Sequence, residues 1–260
     1  MHSLASRRYH RSAPLVLVLA LLALITVAYA FFASAPARAD EGFTDAQVAG
    51  GQKLFAANCA TCHGLNAEGS SFAPSLVGVG AAAVDFQVGT GRMPMQASGP
   101  QAQAKKPQFS QAEIDQLAAF VASLGTGPSV PTAEQVDGSL GDPAAGMELF
   151  RTNCAMCHGS VGGGGALTEG KFAPSLFNTT PTHIYEAMLT GPQSMPVFNN
   201  ANISPESKRD IIAYLEEQRD EPPGGLTLGS LGPVSEGLWA WIVGVGLIIG
   251  ITVWVGSRSS

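Results

Sequence analysis

Two stretches of the chain show no alternation of apolar and polar positions at all. Leu15 to Phe32 and Leu238 to Gly256 are apolar and free of charge over 18 and 19 residues. The region between them reads instead as short amphipathic segments broken by Gly- and Pro-rich runs. A helix over 238–256 spans roughly 28 Å at ~1.5 Å per residue, close to the hydrocarbon thickness of a bilayer. Every Trp in the chain lies in that run, Trp239 and Trp241 near its start and Trp254 near its end, where membrane-interface aromatics belong. The pattern predicts a transmembrane helix over 238–256. The N-terminal run follows Arg7, Arg8 and Arg11 and precedes Ala37-Arg38-Ala39. Residues 1–39 therefore read as a secretory signal cut after Ala39, or as an uncleaved signal-anchor, since the apolar run exceeds the usual ~7–15 residues of a signal. Both ends predict one topology. The N-terminal arginines and Arg258 stay inside, and residues 40–236 lie outside the cytoplasm.

Between the two runs the chain repeats itself. Gly51–Gly64, GQKLFAANCATCHG, matches Gly146–Gly159, GMELFRTNCAMCHG, at nine of fourteen positions. Phe72-Ala73-Pro74-Ser75-Leu76 recurs as Phe172-Ala173-Pro174-Ser175-Leu176, and Thr90-Gly91 before Met93-Pro94 recurs as Thr190-Gly191 before Met195-Pro196. Each copy closes on an amphipathic helix opened by a serine cap, Ser110 or Ser204. Ile114, Leu117, Ala118 and Val121 fall on one helical face, as do Ile211, Ile212 and Leu215. The expectation is an all-α ectodomain of two like modules, 42–125 and 141–220. Linkers at 126–140 and 221–237 separate the modules and lead to the anchor. A module of about 80 residues has a meagre apolar core and calls for a covalent or metal staple.

The cysteines supply that staple. There are four, Cys59, Cys62, Cys154 and Cys157, in CATCH and CAMCH. Two thiols two residues apart, followed at once by His, form the attachment pattern of c-type haem. The thiols add to the haem vinyl groups, and His63 or His158 is placed to reach the iron. A thioredoxin-like dithiol expects a βαβ context and leaves both histidines unexplained. A shared zinc site conflicts with the duplication of whole modules. The cofactor expectation is two covalently bound haem c groups.

Met93 and Met195 hold equivalent places in the repeat and are the candidates for the second axial position of each iron, Met95 being the rival to Met93 and Met188 a weaker rival to Met195. A thioether opposite His favours ferrous iron and leaves no open site. Met147 and Met156 have no counterpart and read as packing residues. Pro74 and Pro174 are placed to offer a carbonyl to the other nitrogen of each ligating His. His183 has no partner in the first copy and reads as a structural helix residue. Gly162–Gly165 reads as a flexible loop, and Lys105 and Lys106 as a solvated face on a long tail after Met95.

Charge refines the partner classes. All 20 acidic residues lie between Asp40 and Glu236, against nine cations there, a balance of −11 within a chain of net charge −6. Nucleic acid is excluded as a partner, because phosphate neutralisation needs a basic surface.

The tandem modules resemble class I cytochrome c. Together with the TGRMPM string at Thr90–Met95 and the C-terminal anchor, the chain resembles the dihaem cytochrome c subunit of actinobacterial cytochrome bc complexes. The resemblance implies two tandem class I cytochrome c-like haem domains plus a C-terminal transmembrane helix. It also implies electron transfer from a Rieske iron–sulfur subunit, after menaquinol or other quinol oxidation at cytochrome b, through two c haems to a terminal cytochrome c oxidase. The chain would then serve a quinol–cytochrome c reductase (a translocase) with no independent catalysis, held on the cell membrane with its haem domains extracytoplasmic. Rival readings are a dihaem subunit of a cbb-type oxidase, usually held by an N-terminal helix alone, and a dihaem peroxidase, which needs one open iron. A free periplasmic carrier is disfavoured by the anchor.

Overall fold

The computed structural model describes residues 13–32, 42–97, 99–220 and 233–258. The Ala37-Arg38-Ala39 motif, Arg7, Arg8, Arg11 and residues 221–232 of the second linker lie outside the described residues. The chain divides into two units, 1–40 and 41–260. The first contains helix α1, Ala13–Phe32. The second carries both sequence repeats and the C-terminal helix.

The first repeat folds as α2 (Asp45–Asn58), α3 (Ala60–His63), α4 (Ala81–Gly89) and α5 (Gln111–Ser123). Helix α2 starts at a capping box, in which the Thr44 hydroxyl accepts from Gln47 N–H and the Gln47 side chain accepts from Thr44 N–H. Helix α5 opens on another, with Ser110 and Glu113. The two helices cross in contact, and the crossing depends on a glycine. A Cβ on Gly51 would lie 1.8 Å from the Gln116 carbonyl oxygen. Phe55 of α2 meets Phe120 of α5 with ring centroids 5.1 Å apart, and Ile114, Leu117 and Val121 complete the buried core.

The second repeat uses the same plan in α7 (Pro143–Asn153), α8 (Ala155–His158), α9 (Pro181–Thr190) and α10 (Pro205–Asp220). Gly146 is the crossing glycine here, where a Cβ would lie 1.9 Å from the Asp210 carbonyl oxygen. Phe150 and Tyr214 replace the aromatic pair at 5.5 Å. Ser204 caps α10 by accepting from Ser207 N–H. A large side chain at either crossing would force the helices apart, since interior packing leaves no slack.

Three features depart from the pattern read along the chain. Residues 126–140 are not a plain linker: they contain α6 (Ala133–Val136) and a 3-10 turn, Gly138–Leu140. A third capping box, Thr132 with Gln135, nucleates α6 within a Pro/Ser-rich segment. Arg209 of α10 donates to the Glu134 carbonyl, so the segment packs onto the second module. The glycine run of that module is not a loose loop either. Gly165–Ala166 (β1) pairs antiparallel with Phe172–Ala173 (β2). Finally, Met156 is 95% exposed rather than packed, because its neighbours Cys154 and Cys157 turn inward to the haem cavity and leave it on the outer side of the one-turn α8.

Helix α11, Pro233–Ser257, contains the one candidate membrane span among the described residues, Gly237–Ser257. Its apolar side chains, Trp239, Trp241 and Trp254 among them, are exposed. That fits a helix whose surroundings are lipid.

Candidate haem sites and the family of the chain

In each module a short helix delivers the attachment residues to the core. Cys59 ends α2 and opens α3, with its N–H bonded to the Phe55 carbonyl. The His63 N–H returns to the Cys59 carbonyl. Cys154 and His158 repeat this geometry. The half-buried thiols Cys59 and Cys154 are each pushed up to about 11 by burial and then by the neighbouring thiol, Cys62 or Cys157. They are therefore protonated near neutrality, unlike the low-pKa thiolates of dithiol redox sites.

Each histidine is fixed through one ring nitrogen. His63 Nδ1 lies 2.9 Å from the Pro74 carbonyl oxygen and His158 Nδ1 lies 3.0 Å from that of Pro174. A carbonyl accepts only, so Nδ1 carries the proton and Nε2 keeps its lone pair for a metal. Burial also pulls the His158 pKa down, outweighing the Pro174 hydrogen bond. The carbonyls are set in place by a loop tied to the histidine itself. Gly69 N–H donates to the His63 carbonyl and Gly164 N–H to that of His158. Both glycines have φ of +88°, a left-handed conformation that L side chains rarely adopt.

Met93 packs against the first core together with Cys59, and its N–H bonds the Gln87 carbonyl. Met95 is more exposed, at 39%, and stands outside that cluster. In the second module, Cys154, Cys157, His158 and Met195 line one cavity of about 500 Å3. That volume is in the range of cofactor pockets. Met188 also borders it from the buried face of α9. The donor set and the mostly apolar wall fit a haem.

The cavity has a second origin that sequence reading missed. Phe86, Thr90, Arg92 and Gln101 of the first module form part of its wall. Gln101 pairs with Phe172 twice, donating to its carbonyl and accepting from its N–H, both at 2.9 Å. Ala102 N–H donates to the Gln193 side chain. Lys105, read as a solvated cation, instead donates to the Pro94 carbonyl and braces the Met93 loop. His183 reaches across the interface, with Nε2 3.6 Å from Asp85 Oδ2, and stacks edge-on with Phe86. Burial pushes the Asp85 carboxyl up, but hydrogen bonds from His183 and Gln111 carry it below its ordinary value. Glu186 beside it, fully buried, is pushed up to about 10 by burial and then by Asp85, which keeps it protonated near neutrality. Nothing in the local pattern announces contacts 71 to 98 residues apart.

Both modules match known families. The family model described as "Cytochrome c" matches residues 48–125, and that described as "Cytochrome C oxidase, cbb3-type, subunit III" matches 141–215. The chain is 45% identical over 232 residues to a cytochrome bc1 complex cytochrome c subunit from Corynebacterium efficiens, covering 82% of this chain and 78% of the relative. It is 46% identical over 218 residues to the subunit of the same description from Mycobacterium tuberculosis, covering 80% and 77%. The chain belongs to the family of cytochrome bc1 complex cytochrome c subunits. A cbb3-type cytochrome c oxidase subunit FixP from Rhizobium etli is more distant, 30% identical over 131 residues and 46% of this chain. As a family member with two cytochrome c domains, the chain carries two haem c groups, bound covalently through Cys59 and Cys62 and through Cys154 and Cys157.

Proposed function

We propose that this chain is the dihaem cytochrome c subunit of a quinol:cytochrome c oxidoreductase. It would pass electrons from a Rieske iron–sulfur subunit, downstream of quinol oxidation at cytochrome b, to a terminal cytochrome c oxidase. The observation that carries the reading is the union, in one chain, of two attachment modules in mutual contact with an apolar helix of membrane-spanning length. Similarity to bc1 complex subunits over four-fifths of the chain supports the choice of complex.

His63 with Met93 and His158 with Met195 would hold the two haem irons. The Pro74 and Pro174 carbonyls hold each imidazole with Nε2 free, and the packing of Met93 against the first core favours it over the more exposed Met95. When bound, each haem supplies an iron that takes up and releases one electron. The protein would orient the imidazoles, supply the thioethers and exclude water through the apolar walls. Modules 42–125 and 141–220 and the anchor at 238–256 are the working units, the haem modules lying on the extracytoplasmic face.

Affinity purification of the detergent-extracted full chain tests this directly. Cytochrome b and a Rieske subunit in stoichiometric amount are expected, with a terminal oxidase in mild detergent. The cbb3-type match of 141–215 supplies a second reading. A cbb-type catalytic subunit in place of cytochrome b would establish it and overturn the first.

A further inference from the structure

Arg92 stands out as a buried cation with no anion. It is 9% exposed, and its guanidinium carbon lies 4.8 Å from the centre of the Phe86 ring. Among the described residues the ion pairs are Lys171 with Glu169 and His183 with Asp85, and Arg92 takes part in neither and in no hydrogen bond. A guanidinium stays charged in proteins, and an unpaired buried charge is costly enough that structures pair nearly all of them. Yet Arg92 is not aimed at its own core. It borders the cavity that holds Cys154, Cys157, His158 and Met195. An anion that entered with whatever fills that cavity would pair this charge. Haem c carries two propionate carboxylates, and a guanidinium fork matches a carboxylate better than any other side chain does.

We propose that Arg92 of the first module binds a propionate carboxylate of the haem held by the second, acting as a positioning residue that ties the two modules together and raises the potential of that haem. The inference rests on the reading that the 154–195 cavity is the second haem site. Its electrostatic sign is fixed: a cation beside a redox centre favours the form carrying the extra electron. The alternative role for Arg92 is a purely local one, supporting the adjacent Met93 in the first module.

The two roles move different haems, which makes the test decisive. Full-length Arg92→Gln, Arg92→Lys and the parent protein are purified with haem bound and titrated spectroelectrochemically. Each haem signal is assigned by its response to Met93→Ala or Met195→Ala. Intact mass first confirms two haems per chain; loss of the second haem site itself, a failure of the underlying reading, would show as one haem unit in the parent protein. The expected result for Arg92→Gln is a second-haem reduction equilibrium weakened threefold to tenfold, tenfold being ~59 mV for one electron, with the first haem changed less than twofold. Arg92→Lys should recover part of the loss. A shift confined to the first haem, an equal shift at both, or no shift overturns the proposal.

Discussion

The two modules share a plan but not a surroundings, and the difference appears at equivalent residues. Phe72 is 85% exposed, whereas its counterpart Phe172 is 39% exposed and gripped through its backbone by Gln101. The covering segment is the tail of the first module, which runs on from Met95 and reaches Gln193 through Ala102. The first module thus closes the pocket of the second and leaves its own equivalent edge open. Duplication made the sites alike; the length of one loop made them unequal. A relay in which two like haems face different neighbours needs that inequality, because exposure and nearby charge are the protein's means of tuning like cofactors.

The strongest test of the comparison is removal of the two thioethers. Met93→Ala and Met195→Ala should each abolish the sulfur-to-iron charge-transfer absorption of one haem and lower its potential by a substantial part of the ~0.8 V that axial ligands span. Met95→Ala should leave both bands intact. If Met95→Ala and not Met93→Ala removes the first band, the two modules use different registers and the equivalence fails.

A smaller effect should follow from the glycines that tie each histidine loop. A Cβ on Gly69 would lie 2.6 Å from Ser75 N, and one on Gly164 would lie 2.7 Å from the Ala173 carbonyl oxygen. Gly69→Ala and Gly164→Ala should each cost about 2–4 kcal/mol through left-handed backbone and overlap. Thermal unfolding followed by haem absorbance should show equal losses if the loops are equivalent.

At one buried position counted from their serine caps, the closing helices exchange an apolar residue for a charged one, Ile114 in α5 and Lys208 in α10. Lys208 donates to the Asn200 side chain and the Ile203 carbonyl, and burial pulls its pKa down to about 8 from 10.5. Between those values the folded state has lost a proton that the unfolded state keeps, so stability should rise with pH by up to ~1.4 kcal/mol per unit. Lys208→Ile, which imports the residue of the first module, should remove that component of the slope in denaturation curves taken between pH 8 and 10. An unchanged slope would mean that Lys208 does not titrate there.

The smallest expected effect is at the strap. Gln101→Ala removes both hydrogen bonds to Phe172 and should destabilise the second module by about 1–2 kcal/mol, visible as faster proteolysis near Phe172. The spectrum of the first haem should not change.

Much of this was legible along the chain, and the reasons are local. The CATCH and CAMCH strings encode attachment within five residues, the serine caps and apolar spacing encode α5 and α10, and the 19-residue apolar run encodes the span. Those features gave the all-α class, the two haems and the anchor. What stayed hidden was decided between modules or by backbone alone. Thr132 and Gln135 form a capping box inside a stretch whose composition reads as linker. Gly164 and Gly165 look flexible until β1 meets β2. Met156 is apolar yet faces outward because its neighbours must face in. His183 read as structural, and in the fold it bridges the modules to Asp85, a pairing that no helical periodicity contains. The role of Gln101 depends on residue 172, and no local pattern links them.

The two crossing glycines have a consequence for how such a chain arises. Gly51 and Gly146 let the first and last helices of each module touch backbone to backbone. The polypeptide therefore enters and leaves each module along the same helix pair, and the haem pocket is finished before the chain moves on. A unit closed in this way can be copied and strung in series by gene duplication without cutting through a pocket. Later lengthening of a single surface loop is then enough to turn two independent copies into an ordered pair.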